Sequence, residues 1–394
     1  MEDSAPSDAA PLGPTGPSEP PPPEPRSPRL LALGGAALAL VLFILVGGSV
    51  QLLNAAFGIW FTEVFIFMAL GWLLPRLGGW KPAPFTGLTP LHPVSTLFGF
   101  LLGIANFFAL VVPIQFTAQK LAPERLKEMF DGSRLFEQQT PVELAIILAG
   151  VTVAAPICEE LFFRGVFQRG LTPPAPRSPT KALVISAVVF SAFHLDPVGF
   201  VARVELGLLF GWLYLRTGSL WPGIAAHAAN NLVSSAAFLV AKSMGTEAAD
   251  TDTNPQDVLM MASLGWLGVL ALLGMSRWVP VWGTGMAASD ERARETKPVP
   301  SLAKLVLPWV VAATLSLVLL AVVDRRGIAL NLHDMAHPLA PLKKDAPEGL
   351  QAERESLQKL RESVRRGEAP LEAYSEERTR QARAHKAAGG TKSP

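Results

Sequence analysis

A single cysteine, Cys158, stands in 394 residues. It excludes an intramolecular disulfide framework and any metal site built from several cysteines. Charge is also scarce. Asp, Glu, Lys and Arg make up 17% of the chain, against ~25% in a typical soluble protein. No charged residue at all occurs between Arg29 and Glu63. A water-soluble fold does not leave so long an interval uncharged, whereas a bilayer demands it. The net charge of +1 gives no support to a nucleic-acid partner. There is no P-loop, no dinucleotide fingerprint and no solenoid-type repeat.

What the chain does have is a succession of apolar runs. They cover residues 30–53, 56–74, 94–116, 141–166, 181–195, 198–216, 220–243, 257–276 and 304–323. Most are about 20 residues long, enough to cross the hydrocarbon core as helix. The pattern predicts an all-α, polytopic transmembrane helix bundle of about seven to nine spans, with the lipid bilayer as its surroundings. The first run is too long and lies too far from the start for a signal peptide.

Composition divides the rest. Residues 1–29 form a Pro-rich tail, with ten prolines in the first 28 residues, expected to be disordered or polyproline-like. Residues 30–140 hold the first membrane helices and a charged stretch, 117–140, that reads as an interfacial helix or loop. Residues 244–323 hold the last membrane helices. Residues 324–394 form a soluble, mixed-charge tail, where Leu350, Leu357, Leu360 and Val364 predict a short surface helix. Basic residues around Arg26, Arg29, Arg76, Lys81, Arg169, Arg177, Lys181, Arg216 and Arg277 predict a cytoplasmic N-terminus in a multi-pass protein of the plasma membrane.

Charge inside a span costs ~2.5–3.5 kcal/mol per residue on insertion scales, so such residues are functional candidates. The densest group is Cys158-Glu159-Glu160-Leu161-Phe162-Phe163-Arg164. Glu160 and Arg164 are four apart and can pair on one helix face. Glu159 points elsewhere and remains available for chemistry. Solvation of both glutamates at a helix end is the bland alternative. Two further groups follow, Phe190-Ser191-Ala192-Phe193-His194 and His227-Ala228-Ala229-Asn230-Asn231. Either histidine alone reads as a packed, hydrogen-bonded residue. Together, a carboxylate, two imidazoles and a carboxamide on three helices can converge. Glu and His can hold and deprotonate a water, and His and Asn can donate to an oxyanion.

The ordered set Glu-Glu-x-x-x-Arg (159–164), Phe-x-x-x-His (190–194) and His-x-x-x-Asn (227–231) resembles the motifs of the CAAX protease and bacteriocin-processing family, intramembrane endopeptidases also called the Abi family or type II CAAX prenyl endopeptidases. The approach from Tyr214 to His227 is similar as well. The likeness covers about 141–240, so residues 141–243 are expected to be the catalytic membrane core. It implies that Glu159 is the general base and that His194 shares its water. It implies that His227 and Asn231 stabilise the oxyanion, and that Glu160 and Arg164 are a structural ion pair. It implies a membrane-associated peptide or protein substrate, prenylated or not. A zinc held by Glu159, His194 and His227 is the alternative to a glutamate-activated water; the spacing is not that of a His-Glu-x-x-His site. A proton-relay transporter and a non-catalytic scaffold or immunity protein of the same family are the competing functions. Oligomeric state is left open.

Other polar residues are less telling. Cys158 reads as packing. Glu143 starts its run, and Arg203 and Glu205 either reach the interface or line the cavity. Glu63 has no evident partner. His92 falls in a loop, and His333 and His337, four apart, form an incidental or metal-like pair. One difficulty stands out. With a simple alternating topology Glu159 lies near the cytoplasmic face and His194 ~20 Å deeper, counting 1.5 Å per residue from Lys181, so the two meet only if the short fifth run is tilted or starts deeper.

Overall fold

The computed structural model describes residues 25–90, 93–136, 139–174, 176–243, 254–283, 293–339 and 347–387. Residues 1–24 of the Pro-rich tail, and His92, lie outside the described residues. What is described is a helix bundle without strands. Seven helices are long and apolar enough to cross a membrane: α1 (Pro28–Leu53), α2 (Ala55–Leu77), α3 (Pro93–Leu121), α4 (Pro141–Leu171), α7 (Trp221–Ala241), α8 (Pro255–Met275) and α9 (Leu302–Val323). Between α4 and α7 lie two helices that do not meet that description. They are α5 (Thr180–Phe193), which is too short, and α6 (Phe200–Thr217), which carries Arg203, Glu205 and Arg216. The runs 181–195 and 198–216 thus fall outside those seven, the low end of the seven to nine expected. They pack as an antiparallel hairpin, with Gly207 of α6 against Ala187 of α5, and the tip carries His194.

Small residues set the close approaches. Gly99 and Gly103 lie one turn apart on α3, where the backbone of α7 at Pro222 and Ala226 touches them. A side chain at either would collide with that backbone, which is the small-xxx-small device of membrane helices. It fixes α7 one residue before His227.

A proline marks one irregularity in α4. The π-helical turn Gly150–Ala154 precedes Pro156. There the Ala155 N–H bonds to the Gly150 carbonyl. In the same five-residue register the Val151 carbonyl would need an N–H from Pro156, which has none. That carbonyl must find its donor elsewhere. A second π turn, Phe163–Gln168, contains Arg164, and its Phe163 carbonyl accepts from Ser186 Oγ of α5 at 3.1 Å.

The charged tail is helical and packed. Helices α10 (Arg325–Ala336), α11 (Glu348–Arg366) and α12 (Leu371–Ala387) close on a small core of Leu330, Leu357, Val364 and Tyr374. The surface helix expected around Leu350 to Val364 is thus one of three. The unit docks on the bundle at the α1–α2 turn. Asn331 Nδ2 donates to the Leu53 carbonyl at 2.6 Å, and Asn54 Nδ2 donates to Asp324 at 2.7 Å. Arg365 pairs with Glu143, whose carboxylate also completes a capping box with Thr140 at the start of α4. The charged stretch after α3 contains a short helix, Glu124–Met129, as an interfacial segment would.

Candidate active site

Helix α4 continues through Arg164, Gln168 and Arg169 to Leu171, five residues past the end of its apolar run. It does so because those polar groups point into protein. Gln168 Nε2 donates to the Gly211 carbonyl of α6 at 3.0 Å, and the Arg169 guanidinium lies over the Phe85 ring at 4.8 Å. Glu159 is therefore twelve residues from the helix end, ~18 Å at 1.5 Å per residue. His194 lies fourteen residues beyond the start of α5, ~21 Å by the same count. The two sit at comparable depth, and the expected mismatch disappears.

Four of the six polar motif residues form one connected group. Glu160 Oε1 accepts from Arg164 Nη1 at 2.7 Å and lies 3.0 Å from His227 Nδ1. Arg164 is fully buried and Glu160 is 1% exposed. The guanidinium also donates to the Gly207 carbonyl at 3.2 Å and lies over the rings of Phe190 (4.4 Å) and Phe210 (5.3 Å). Phe210 stacks on the His227 ring at 4.8 Å with an interplanar angle of 16°. The imidazole plane is thereby set, and its Nε2 is turned toward Glu159, 3.8 Å from Oε2. That Glu159 oxygen is buried and has no hydrogen-bond partner in the protein. Glu160 is thus more than a partner for Arg164: it orients His227.

The other two motif residues are placed differently. His194 caps α5; its Nδ1 lies 3.0 Å from the Phe190 carbonyl, which leaves Nε2 outward. The Phe190 ring meets His194 on one side and His227 on the other, in edge contacts of 5.1 and 5.8 Å. The tip beyond is tightly held. Leu195 is in the left-handed region at φ 54°, and Asp196 accepts from the Val198 and Gly199 N–H groups. Arg203 pairs with Asp196 at 2.6 Å. Asn231 Nδ2 donates to the Val151 carbonyl at 2.9 Å, the one that Pro156 leaves without a backbone donor, and its Oδ1 accepts from Asn230. Asn231 pins α7 to α4, and its second amide hydrogen remains for other use.

Two residues belong to the picture that sequence reasoning did not place. Glu63, 5% exposed in the π turn Glu63–Met68 of α2, lies within electrostatic range of Glu159, and its Oε2 is buried without a partner. Its lone charge in an apolar run was the available signal, but nothing in the sequence said which helix it faces. Arg203 acts electrostatically on both Glu159 and His194. Glu205, by contrast, accepts from Asn106 of α3 at 3.0 Å, and Cys158 packs among Phe67, Phe162 and Phe163. Among the described residues no three His, Cys, Asp or Glu side chains are arranged to hold a metal ion. His194 stands across the Phe190 ring from His227, so the expected trio of Glu159, His194 and His227 is not gathered at one point.

No curated protein and no solved structure matches the chain. The segment that builds this site, about a quarter of the chain, does match a family: residues 141–233 fit the family model of the Rce1-like type II CAAX prenyl endopeptidases.

Proposed function

We propose that the protein is an intramembrane endopeptidase in which Glu159 activates a water against a peptide bond of a membrane-associated substrate. The observation that carries the reading is the unpartnered, buried oxygen of Glu159 facing His227 Nε2 at 3.8 Å, a gap that suits one shared hydrogen-bonding group. Glu159 takes a proton from water as the oxygen attacks the carbonyl carbon. His227, between the carboxylates of Glu159 and Glu160, donates from Nε2 to the developing oxyanion in its imidazolium form. The proton on Glu159 then passes to the leaving amine as the C–N bond breaks. His194, with its free Nε2 at the tip of the hairpin, shares the water or relays that proton. The second amide hydrogen of Asn231 is the further donor.

The chain is a multi-pass membrane protein by its helices and its family. The basic end of the bundle, with Arg26, Arg76, Arg169, Arg177 and Arg216, is the cytoplasmic side by the positive-inside rule. Purified protein in detergent should cleave a membrane-delivered peptide, with a prenylated and an unprenylated version compared. Glu159→Gln should abolish cleavage at unchanged abundance. Cleavage undiminished in Glu159→Gln refutes the mechanism.

A further inference from the structure

Outside the membrane bundle, the end of α10 holds a second pair of imidazoles. His333 and His337 are one turn apart on one helix face, with ring centroids 4.3 Å apart and planes at 31°. His337 Nδ1 lies 3.2 Å from the His333 backbone carbonyl. That contact makes Nδ1 the protonated nitrogen and leaves the Nε2 lone pair available. It is the arrangement that metal-ligating histidines use, in which a carbonyl fixes the tautomer from behind. His333 Nε2 is buried and finds no hydrogen-bond partner in the protein. A buried ring nitrogen without a partner points to a ligand, whether water or ion.

The surroundings account for every stronger donor except these two. Asp334, between them in sequence, accepts from Tyr374 at 2.6 Å and from Arg361 at 3.1 Å, and forms an ion pair with Arg378 at 3.0 Å. Its carboxylate is already held by two guanidinium groups and a phenol. Arg378 also donates to the His337 carbonyl at 3.0 Å. The two imidazoles stand ring against ring at the helix end.

We infer that His333 and His337 bind a divalent transition-metal ion of the class that prefers imidazole: copper, nickel or zinc. Two protein nitrogens leave the remaining coordination positions to water, unlike a closed structural zinc site. Magnesium and calcium, which take oxygen ligands, are excluded by the donor set. The bound ion bridges the final turn of α10. That helix also carries Asn331, which docks the C-terminal helices on the bundle through the Leu53 carbonyl. The inference is independent of peptide hydrolysis.

The test is a copper(II) titration of the full-length protein in detergent, followed by calorimetry and by the nitrogen hyperfine pattern of its EPR spectrum. The wild type should bind with two directly coordinated nitrogens, and a large excess of magnesium should not compete. His333→Ala and His337→Ala should each weaken binding by about tenfold or more, since each removes one arm of a chelate. His333→Gln, which keeps polarity at the buried position, should do the same if the alanine variant loses its fold by circular dichroism. His227→Ala should leave this binding unchanged. Absence of binding by the wild type overturns the inference. So does undiminished affinity in the folded His333 and His337 variants, or loss in His227→Ala alone.

Discussion

Adjacent glutamates in α4 should respond oppositely to the same one-atom change. In Glu160→Gln the fully buried Arg164 loses its counter-charge and keeps the Gly207 carbonyl and two ring faces. Removing one partner of a buried pair costs ~3–5 kcal/mol. The amide oxygen still accepts a hydrogen bond, so glutamine falls at the low end and Glu160→Ala at the high end. A ring face offers a desolvated cation ~2 kcal/mol, too little to cover the loss. Against a total stability of ~5–15 kcal/mol, that loss shows as reduced folded protein. Activity falls as well, because His227 loses the group that orients Nδ1. Glu159→Gln breaks no hydrogen bond found for its buried oxygen. Its stability should be unchanged or slightly higher, while turnover falls by ~10²–10⁴, the worth of a positioned general base. Thermal unfolding followed by size-exclusion in detergent reads the first quantity and peptide cleavage the second. Adding Arg164→Met to Glu160→Gln should recover part of the stability, since no buried charge is then left alone. A Glu160→Ala protein as stable as wild type, or a Glu159→Gln protein that is unstable yet active, would refute the assignment.

Asn231→Asp cannot donate to the Val151 carbonyl and should be less stable than Asn231→Ala, which itself loses ~1–3 kcal/mol for the carbonyl left unpaired; thermal unfolding of both ranks them. Gly103→Leu should push α7 away at Ala226 and lower activity together with folded yield, while Gly274→Leu, where no atom lies within 4 Å, should change neither; expression and cleavage assays compare the two. Tyr374 is one of two tyrosines, and its hydroxyl is pushed up to about 12 by burial and by its hydrogen bond to Asp334. The folded state favours the protonated phenol, so its contribution to stability is complete below about pH 10 and is lost as the pH rises toward about 12. In a Tyr214→Phe background the tyrosinate absorbance should titrate near the upper value when folded and near the lower one in denaturant, and Tyr374→Phe should remove that part of the alkaline loss.

The sequence made some of this legible and hid the rest for identifiable reasons. Apolar runs located the helices, because lipid imposes one composition on every spanning surface. The same criterion failed where protein replaces lipid. The hydropathy of α4 ends near residue 166, although Gln168 and Arg169 continue the helix with their side chains inside the bundle. Hydropathy also does not separate α5 and α6 from the seven long apolar helices, because a helix buried in protein is as apolar as one that crosses. Glu160 illustrates a second limit. The spacing to Arg164 is visible on one helix, but the bond to His227 depends on how α7 meets α4.

Asn231 shows where local rules extend farther than periodicity does. Pro156 can be read from the chain, and so can the missing N–H that it implies. Which carbonyl is left without a donor depends on the register of the preceding turn. In an α turn it would be Thr152; in the π turn actually formed it is Val151. Only the second choice hands Asn231 its acceptor. The same bond that satisfies a backbone defect in α4 therefore locks the helix that carries His227. Position and chemistry are coupled through one amide, so an activity loss in Asn231→Ala is by itself ambiguous. Val151 contributes only its carbonyl, and Pro156→Ala restores a backbone donor to it. If Asn231 matters mainly as a pin, the combination of Pro156→Ala with Asn231→Ala should recover stability but leave α7 loose and the enzyme slow. If the second amide hydrogen is an oxyanion donor, Pro156→Ala alone should keep nearly full turnover, because Asn231 still stands one turn beyond His227. Measuring unfolding and cleavage in these three variants separates the two roles.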